Sequence, residues 1–437
     1  MFVFVFDGVL FKLSVKTPAF VPLFQLPPRM NARDAFRPDN HNQYIRHPPA
    51  KAILVTMSQL EPDAFTTIAS LETLVKVQKK ALVGKRNSHS ATAINYRFMT
   101  DLLQIQRELV SGTYQPMEYR RRIITEPKVR MIEAPAFRDR IVHHAIHSVL
   151  SPFYERHFIR DSYACRQDKG IHKAMARVRH FLRSESDLYV CKVDISKYYA
   201  SVNHGKLREL LRKRIGDKRL LNLLDIIIDS SDSGNEHDYL FLPDSPYHTK
   251  GRRGIPIGNL TSQLFANIYL HEADMFVKQT LHAKFYVRYM DDILLFHQDK
   301  EVLHEWQRKL TAFLYDELYL TVNPRKVRVY PSRLGVDFVG YVMYRDGTRV
   351  RASSIRRFRR RFRRHLKGFH AGAVSEAKLD DMLNAWSAHV RHGSGEPLIR
   401  QIAEELESHK FVAFVQNKHR QYIKSRRKSV QLSLFDD

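Results

Sequence analysis

The sequence contains few cysteines and no long apolar run. Only Cys165 and Cys191 occur among 437 residues, which excludes a disulfide framework or a cysteine-rich zinc module and favours a reducing, cytoplasmic location. No stretch approaches the roughly 18 apolar residues of a membrane span. The apolar opening, residues 1–6, lacks the preceding basic region of a secretory signal. We therefore expect no membrane partner and no secretion.

Acidic residues are scarce relative to basic ones. Asp and Glu together number 46 against 72 Lys and Arg, which gives a formal net charge of +26 and a pI near 10.0. Basic side chains that displace counterions from phosphates give salt-dependent affinity without sequence preference. The charge surplus therefore indicates a polyanionic partner such as nucleic acid.

The most informative motif is the pair Asp291 and Asp292 between the apolar runs 285–287 and 293–296. This pattern predicts two strands joined by a tight turn with both carboxylates at its tip. An isolated acidic pair in a solvated turn is the alternative. A second apolar segment, 188–195, carries Asp194 near its end. Three carboxylates at strand ends suit two Mg²⁺ ions and in-line phosphoryl transfer.

Two further patterns frame this motif. Apolar residues recur at helical spacing from Tyr96 to Val110 until Ser111 and Gly112 end the helix. Residues 120–135 alternate like a hairpin with Lys128 and Arg130 near its tip. These two side chains are candidates for binding a nucleotide triphosphate, with a solvated cationic turn as the alternative.

Together these segments resemble, in their order, the reverse transcriptases, over roughly residues 85–370. The strings 161–166 (Asp-Ser-Tyr-Ala-Cys-Arg) and 254–263 (Gly-Ile-Pro-Ile-Gly-Asn-Leu-Thr-Ser-Gln) are most similar to enzymes of diversity-generating retroelements. They are also similar to defence-associated and group II intron relatives. The resemblance implies an α+β right-hand polymerase with fingers, a palm of antiparallel sheet with helices behind it, and a helical thumb.

The resemblance implies domain limits as well. Residues 1–84 form an N-terminal extension of unknown role, and 85–345 form fingers and palm. Residues 346–415 form a basic helical thumb, and 416–437 form a basic tail.

The implied activity is RNA-directed DNA polymerase, a nucleotidyltransferase that uses dNTPs and two Mg²⁺ ions, with Mn²⁺ as a possible substitute. Asp194, Asp291 and Asp292 are implied as catalytic metal ligands, together with the backbone carbonyl of Ile195. Lys326 occupies the place of a lysine that protonates the departing pyrophosphate, and a positioned general acid contributes about 10²-fold or more.

The nucleotide site is implied to include Tyr199, Ile257 and Gly258 beside the hairpin cations. Tyr199 stands five residues after Asp194, where reverse transcriptases carry an aromatic that crowds the sugar 2′ position, so it favours deoxynucleotides. Ile257 replaces the usual glutamine, and its apolar side chain predicts reduced fidelity. Gly258 is expected to permit close approach of the nucleotide, with an ordinary turn glycine as the alternative.

Two regions are implied to hold nucleic acid. Phe338, Gly340 and Tyr341 resemble the primer-gripping hairpin, with core packing as the alternative for the aromatics. Beyond residue 350, apolar residues from Ile355 to Phe369 mark one face of a helix. The rest of that helix presents a duplex-binding set of arginines: Arg356, Arg357, Arg360, Arg361 and Arg364. A second thumb helix is predicted from Leu379, Met382, Leu383, Trp386 and Val390.

The chain ends with a short apolar peptide after a basic stretch. Gln431, Leu432, Leu434 and Phe435 resemble the segment with which bacterial polymerases bind the sliding clamp. A tail that packs on the thumb is the alternative.

Several biological roles fit the resemblance. Low-fidelity copying in a gene-diversifying retroelement is our first expectation, and a group II intron-type or antiviral defence enzyme with a dedicated non-coding RNA is the alternative. The expected partners are an RNA template and primer, the RNA–DNA duplex, a structured RNA and a small basic accessory protein. An RNA-binding maturase is opposed by the three retained aspartates, and an RNA-templated RNA polymerase is opposed by Tyr199.

Overall fold

The computed structural model describes residues 59–83, 89–125, 129–230, 251–393, 395, 397–399 and 401, without the side chains of residues 89–97. Within these ranges no helix combines the length and the apolar character needed to cross a bilayer. The described chain consists of antiparallel sheets flanked by helices. The predicted α+β class is therefore confirmed.

The acidic residues lie on a sheet of four strands: β3 Tyr189–Asp194, β4 Phe285–Tyr289, β5 Asp292–His297 and β6 Arg328–Pro331. The strand order is β4, β5, β3, β6, and every neighbouring pair is antiparallel. Alternate residues face two separate cores, with Val193 on one side and Val190 on the other. Burial on both faces explains why β3 and β5 appear in the sequence as nearly continuous apolar runs.

Helices cover both faces of this sheet. One core receives side chains from α4 Phe137–Glu155, α6 Tyr198–Ser201, α7 His204–Arg212, α8 Lys218–Asp229, α9 Leu260–Met275 and α10 Lys300–Asp316. A short π-helix, Phe276–Thr280, continues α9. The other core receives α5 Ile171–Ser184 and the elements after residue 335.

The predicted N-terminal extension contributes to the first core. Helices α1 Ala64–Ala69 and α2 Leu71–Ala81 bury Ile68 and Leu74 completely. They pack against α4, so residues 59–83 are part of the folded body. The following helix, α3 His89–Ser111, ends before Gly112, whose φ of 73° lies in the left-handed region. The helix predicted from the periodicity is confirmed.

Two smaller units flank the palm-like sheet. Strands β1 Arg120–Ile124 and β2 Arg130–Ala134 form the predicted hairpin, and all five residues of β1 are exposed. Strands β7 Val336–Phe338, β8 Tyr341–Met343 and β9 Thr348–Val350 form a meander before the C-terminal helices. Both predicted thumb helices are present, as α11 Ala352–His370 and α12 Glu376–Val390.

Candidate active site

The two strand ends bring the predicted carboxylates together. Asp194 is the last residue of β3 and pairs in register with Asp292, the first residue of β5. Asp291 lies in the turn between β4 and β5, next to Met290, whose φ is 54°. The side chains of Asp194 and Asp292 are 13% and 27% exposed, respectively. The site is therefore a cluster of three acids at the ends of β3 and β5, the two central strands of the sheet.

Crowding of negative charge is greatest at Asp291. Burial raises the pKa of Asp291 to about 6, with further contributions from the carboxylates of Asp292 and Asp194. Burial also raises the pKa of Asp292, but Lys192 opposes that rise. The Nζ atom of Lys192 lies 3.6 Å from Oδ1 of Asp292 and donates to the carbonyl of Asp337 at 2.8 Å. Asp291 is thus the acid whose charge the surroundings compensate least.

Lys326 lies directly on the first aspartate. Its Nζ atom donates to Oδ1 of Asp194 at 2.6 Å and to Oδ2 at 2.5 Å. The loop that carries Lys326 is tied to β3, because the N–H of Asn323 donates to the carbonyl of Asp194 at 2.7 Å. The general-acid role of Lys326 stays a prediction. Its Nζ atom lies at the acidic cluster, where a general acid would have to be.

The cluster has the donor set that divalent ions prefer. Ile195 pairs with Val322 in an isolated antiparallel β-bridge. Its two hydrogen bonds run from the N–H of Asn323 to the carbonyl of Asp194 and from the N–H of Ser196 to the carbonyl of Thr321. This pairing leaves the Ile195 carbonyl available as an oxygen donor. Among the described residues, no group of three or more His, Cys, Asp or Glu side chains is arranged to hold a metal ion. The Lys326 ammonium binds both oxygens of Asp194 and so compensates the charge of that carboxylate.

Tyr199 lies beside the acidic turn. It belongs to α6 and not to a strand, and its hydroxyl approaches Sδ of Met290 at 3.7 Å. Burial raises its pKa, as do Cys165 and Asp291, whereas Arg130 lowers it. Contact of Arg130 with a nucleotide stays a prediction. Lys128, the other predicted hairpin cation, lies outside the described residues.

The segment around Ile257 pairs with the hairpin. The N–H of Glu133 donates to the carbonyl of Ile257 at 3.0 Å. Gly258 has a φ of 130°, and a Cβ added to it would lie 3.0 Å from the carbonyl oxygen of Glu133. Close approach of β2 therefore accounts for this glycine. Contact of Ile257 or Gly258 with a nucleotide remains a prediction.

The aromatics of the predicted primer grip are core residues. Phe338 and Tyr341 face each other across β7 and β8 and are buried. Tyr341 donates its hydroxyl to the carbonyl of His389 at 2.8 Å. Val339 and Gly340 form the two-residue turn with φ of 45° and 92°. The burial of both aromatics supports packing as their role, and contact of this turn with a primer stays a prediction.

The predicted arginines lie on one helix, and most are exposed. The apolar stripe of α11 packs into the second core through Phe362 and Leu366. A surface cleft is lined by Arg356, Arg359, Arg360, Arg363, Arg364 and Lys367. Arg357 is half-buried and donates to Oγ of Ser354 at 3.4 Å. The clamp-binding-like peptide, residues 431–435, lies outside the described residues.

Sequence reasoning missed three residues that support the acidic cluster. Lys192 precedes Asp194 by two positions on the same face of β3, a spacing that could have indicated it. Arg288 and Asp274 form a fully buried ion pair behind the turn. Their partnership joins a strand to a helix, which no local pattern reveals.

Comparisons with known proteins place this geometry in context. The family model for reverse transcriptase (RNA-dependent DNA polymerase) matches residues 124–343. The chain is similar to protein YkfC of Escherichia coli K12, with 28% identity over 295 residues, 59% of this chain and 75% of that protein. It is similar to the group II intron-encoded protein LtrA of Lactococcus lactis, with 29% identity over 185 residues, 42% of this chain and 29% of that protein.

A solved structure of telomerase from Candida albicans with the TWJ fragment of telomeric RNA matches with a TM-score of 0.38 and 16% identity. The match covers 69% of this chain and 55% of the telomerase chain.

Proposed function

Because the chain belongs to the reverse transcriptase family, we propose that it copies an RNA template into DNA by two-metal nucleotidyl transfer. The observation that carries this proposal is the pairing of Asp194, at the end of β3, with Asp292, at the start of β5, beside Asp291. Relatives among group II intron-encoded proteins support a bacterial enzyme of the group II intron-like kind.

The chain's own residues divide the work of the reaction. Asp194, Asp291 and Asp292 would hold two divalent ions, which stabilise the attacking 3′-oxygen and the leaving phosphate oxygen. Arg130 would bind the triphosphate from the β1–β2 hairpin. Lys326 would release Asp194 as the ions bind and give a proton to the pyrophosphate as it leaves. The role of Lys326 is supported by its contact with both carboxylate oxygens of Asp194.

Tyr199 supports deoxynucleotides as the substrate. Its ring is packed beside Met290 and the aspartates, where a 2′-hydroxyl would need space. An aromatic ring packed at that position would exclude the larger sugar by steric conflict.

A primer-extension assay tests the proposal. The protein is given an RNA template, a primer, Mg²⁺ and either dNTPs or rNTPs. We expect extension with dNTPs, loss of extension in Asp291→Ala, and full activity in the control Glu305→Gln, which changes an exposed acid on α10. Extension only with rNTPs, or an active Asp291→Ala variant, would overturn the assignment.

For the biological role, we propose low-fidelity copying in a gene-diversifying retroelement. Ile257 supports it, because its side chain offers no hydrogen bond at the forming base pair. A misincorporation assay should show Ile257→Gln copying more accurately than the parent, and equal error rates would contradict the idea. The alternative is a group II intron-type or defence enzyme with a dedicated RNA, and the similarity to the group II intron-encoded protein LtrA favours the intron-type form of it.

Partners beyond template and primer are proposals from charge and sequence. The arginine cleft of α11 suits the phosphates of an RNA–DNA duplex or of a structured RNA.

We further propose a small basic accessory protein, a cytoplasmic location, and clamp binding through residues 431–435. Truncation after Val430 should abolish recovery of purified sliding clamp in a pull-down. Equal recovery would exclude the peptide as the clamp site.

A further inference from the structure

A fully buried ion pair lies directly behind the acidic turn. Neither Arg288 nor Asp274 exposes any side-chain surface. Arg288 donates from Nε to Oδ1 of Asp274 at 2.7 Å and from Nη2 to Oδ2 at 2.6 Å. Burial acts to lower the pKa of Arg288, but Asp274 outweighs it and the pKa is raised. The guanidinium therefore stays charged in a fixed bidentate pair.

The third nitrogen of this guanidinium reaches the acidic turn. Nη1 donates to the carbonyl oxygen of Met290 and to Oδ1 of Asn267, each at 3.2 Å. Met290 has a φ of 54°, a conformation that costs energy for a residue with a Cβ. Its carbonyl belongs to the same planar peptide as the N–H of Asp291. A bond to that carbonyl therefore fixes the plane from which Asp291 projects.

Two neighbouring segments and a residue of its own strand hold Arg288 in place. Asn267 and Asp274 both lie on α9, seven residues apart and hence on one face. The hydroxyl of Tyr286 donates to Oδ1 of Asp274 at 2.6 Å. The backbone N–H of Arg288 donates to the carbonyl of Asp161 at 2.9 Å. A polar network in which each member has a partner is rigid, which suits a support for an exact geometry.

We propose that Arg288 is a positioning residue for catalysis, which holds the Met290 carbonyl and thereby aims the Asp291 carboxylate at the metal site. This inference rests on the proposed function, because Asp291 must bind a divalent ion for its aim to matter. An ion pair that only stabilises the core is the competing role.

Three variants separate the two roles. Arg288→Lys keeps a charge beside Asp274 but lacks the planar fork that bonds two partners at once. The double variant Arg288→Gln, Asp274→Asn removes both charges together and so leaves no buried ion alone. Tyr286→Phe is the matched control, since it removes a bond to Asp274 and leaves the bond to Met290 intact.

The first measurement is hydrogen–deuterium exchange in the metal-free protein, read on peptides that contain residues 289–292. Arg288→Lys and the double variant should exchange about tenfold faster there, the effect of one lost charge-assisted hydrogen bond. Tyr286→Phe should exchange like the parent. Unchanged exchange in both Arg288 variants, or equal loosening in Tyr286→Phe, would overturn the proposal.

The second measurement is single-turnover primer extension over a range of Mg²⁺ concentrations. A misplacement of about 1 Å can lower a rate by about 100-fold, so the Arg288 variants should be about 10- to 100-fold slower. They should also need more Mg²⁺, with unchanged affinity for the duplex. A parental rate and Mg²⁺ requirement in both variants would assign the pair to stability alone. If the parent extends no primer, the proposed function fails, while the exchange experiment still decides whether Arg288 holds the turn.

Discussion

Replacing Asp291 by Asn should stabilise the metal-free protein while it abolishes catalysis. Burial and the carboxylates of Asp292 and Asp194 raise the pKa of Asp291 from its ordinary 3.8 to about 6. Holding this group ionised at pH 7 therefore costs about 3 kcal/mol relative to the unfolded chain. The amide of Asn carries no charge and can donate to the neighbouring carboxylates. We expect the free energy of unfolding to rise by about 1–3 kcal/mol at pH 7.

The raised pKa of Asp291 also fixes how the stability of the parent protein depends on pH. Between about pH 4 and pH 6 the folded protein holds a proton on Asp291 that the unfolded chain releases, so the parent loses stability as the pH rises through this window. Below pH 4 the carboxyl is protonated in both states and the cost vanishes. The advantage of Asp291→Asn should accordingly be full at pH 7 and small at pH 4.

Denaturant unfolding with EDTA present, at pH 7 and at pH 4, measures this difference. Asp194→Asn is the matched control, because Asp194 is compensated by Lys326 and its removal leaves that ammonium without its partner. We expect no comparable gain from it. Adding Mg²⁺ should stabilise the parent but not Asp291→Asn, because only the parent gains binding energy. A variant no more stable than the parent at pH 7, or one whose advantage persists at pH 4, would refute the reasoning.

Three further changes test individual roles. Tyr199→Val opens space beside the sugar, so kcat/KM for rNTPs relative to dNTPs should rise at least ~10-fold; an unchanged ratio would remove the residue from sugar selection. Lys326→Ala should slow single-turnover extension by about 100-fold with duplex affinity intact, and a parental rate would exclude general acid catalysis by this lysine. Arg360→Gln with Arg361→Gln should weaken duplex binding and reduce the slope of log K against log salt by about 0.9 per lost phosphate contact. The control Arg308→Gln, on the exposed face of α10, should leave that slope unchanged.

Much of the fold followed from local patterns. The strands β3 and β5 are buried on both faces, so their apolar runs are nearly unbroken and easily found. Helix α11 buries Phe362 and Leu366 at a spacing of four, and the arginines between them could only face outward. Both patterns depend on one element at a time, and sequence reasoning predicts such features well.

Features that depend on distant partners were not predictable. The burial of Arg288 is decided by Asp274 on another element, and a charged residue in an apolar run ordinarily argues for exposure. Helices α1 and α2 pack on α4 although several prolines interrupt the residues before them. Tyr341 is a core residue, and its hydroxyl donates a hydrogen bond to the backbone carbonyl of His389 on α12. In each case the deciding contact lies far along the chain.

The two lysines of the site differ in a way that separates their roles. Lys192 is 15% exposed and is also held by the carbonyl of Asp337, whereas Lys326 is 40% exposed and lies on a loop. Were the three acids to hold divalent ions, a neighbouring ammonium would be repelled, and the more exposed side chain would reorient at lower cost. Lys326 should therefore turn toward the leaving phosphate, while Lys192 stays beside Asp292 and partly neutralises it. We therefore expect Asp292 to contribute less to metal binding than Asp194 and Asp291.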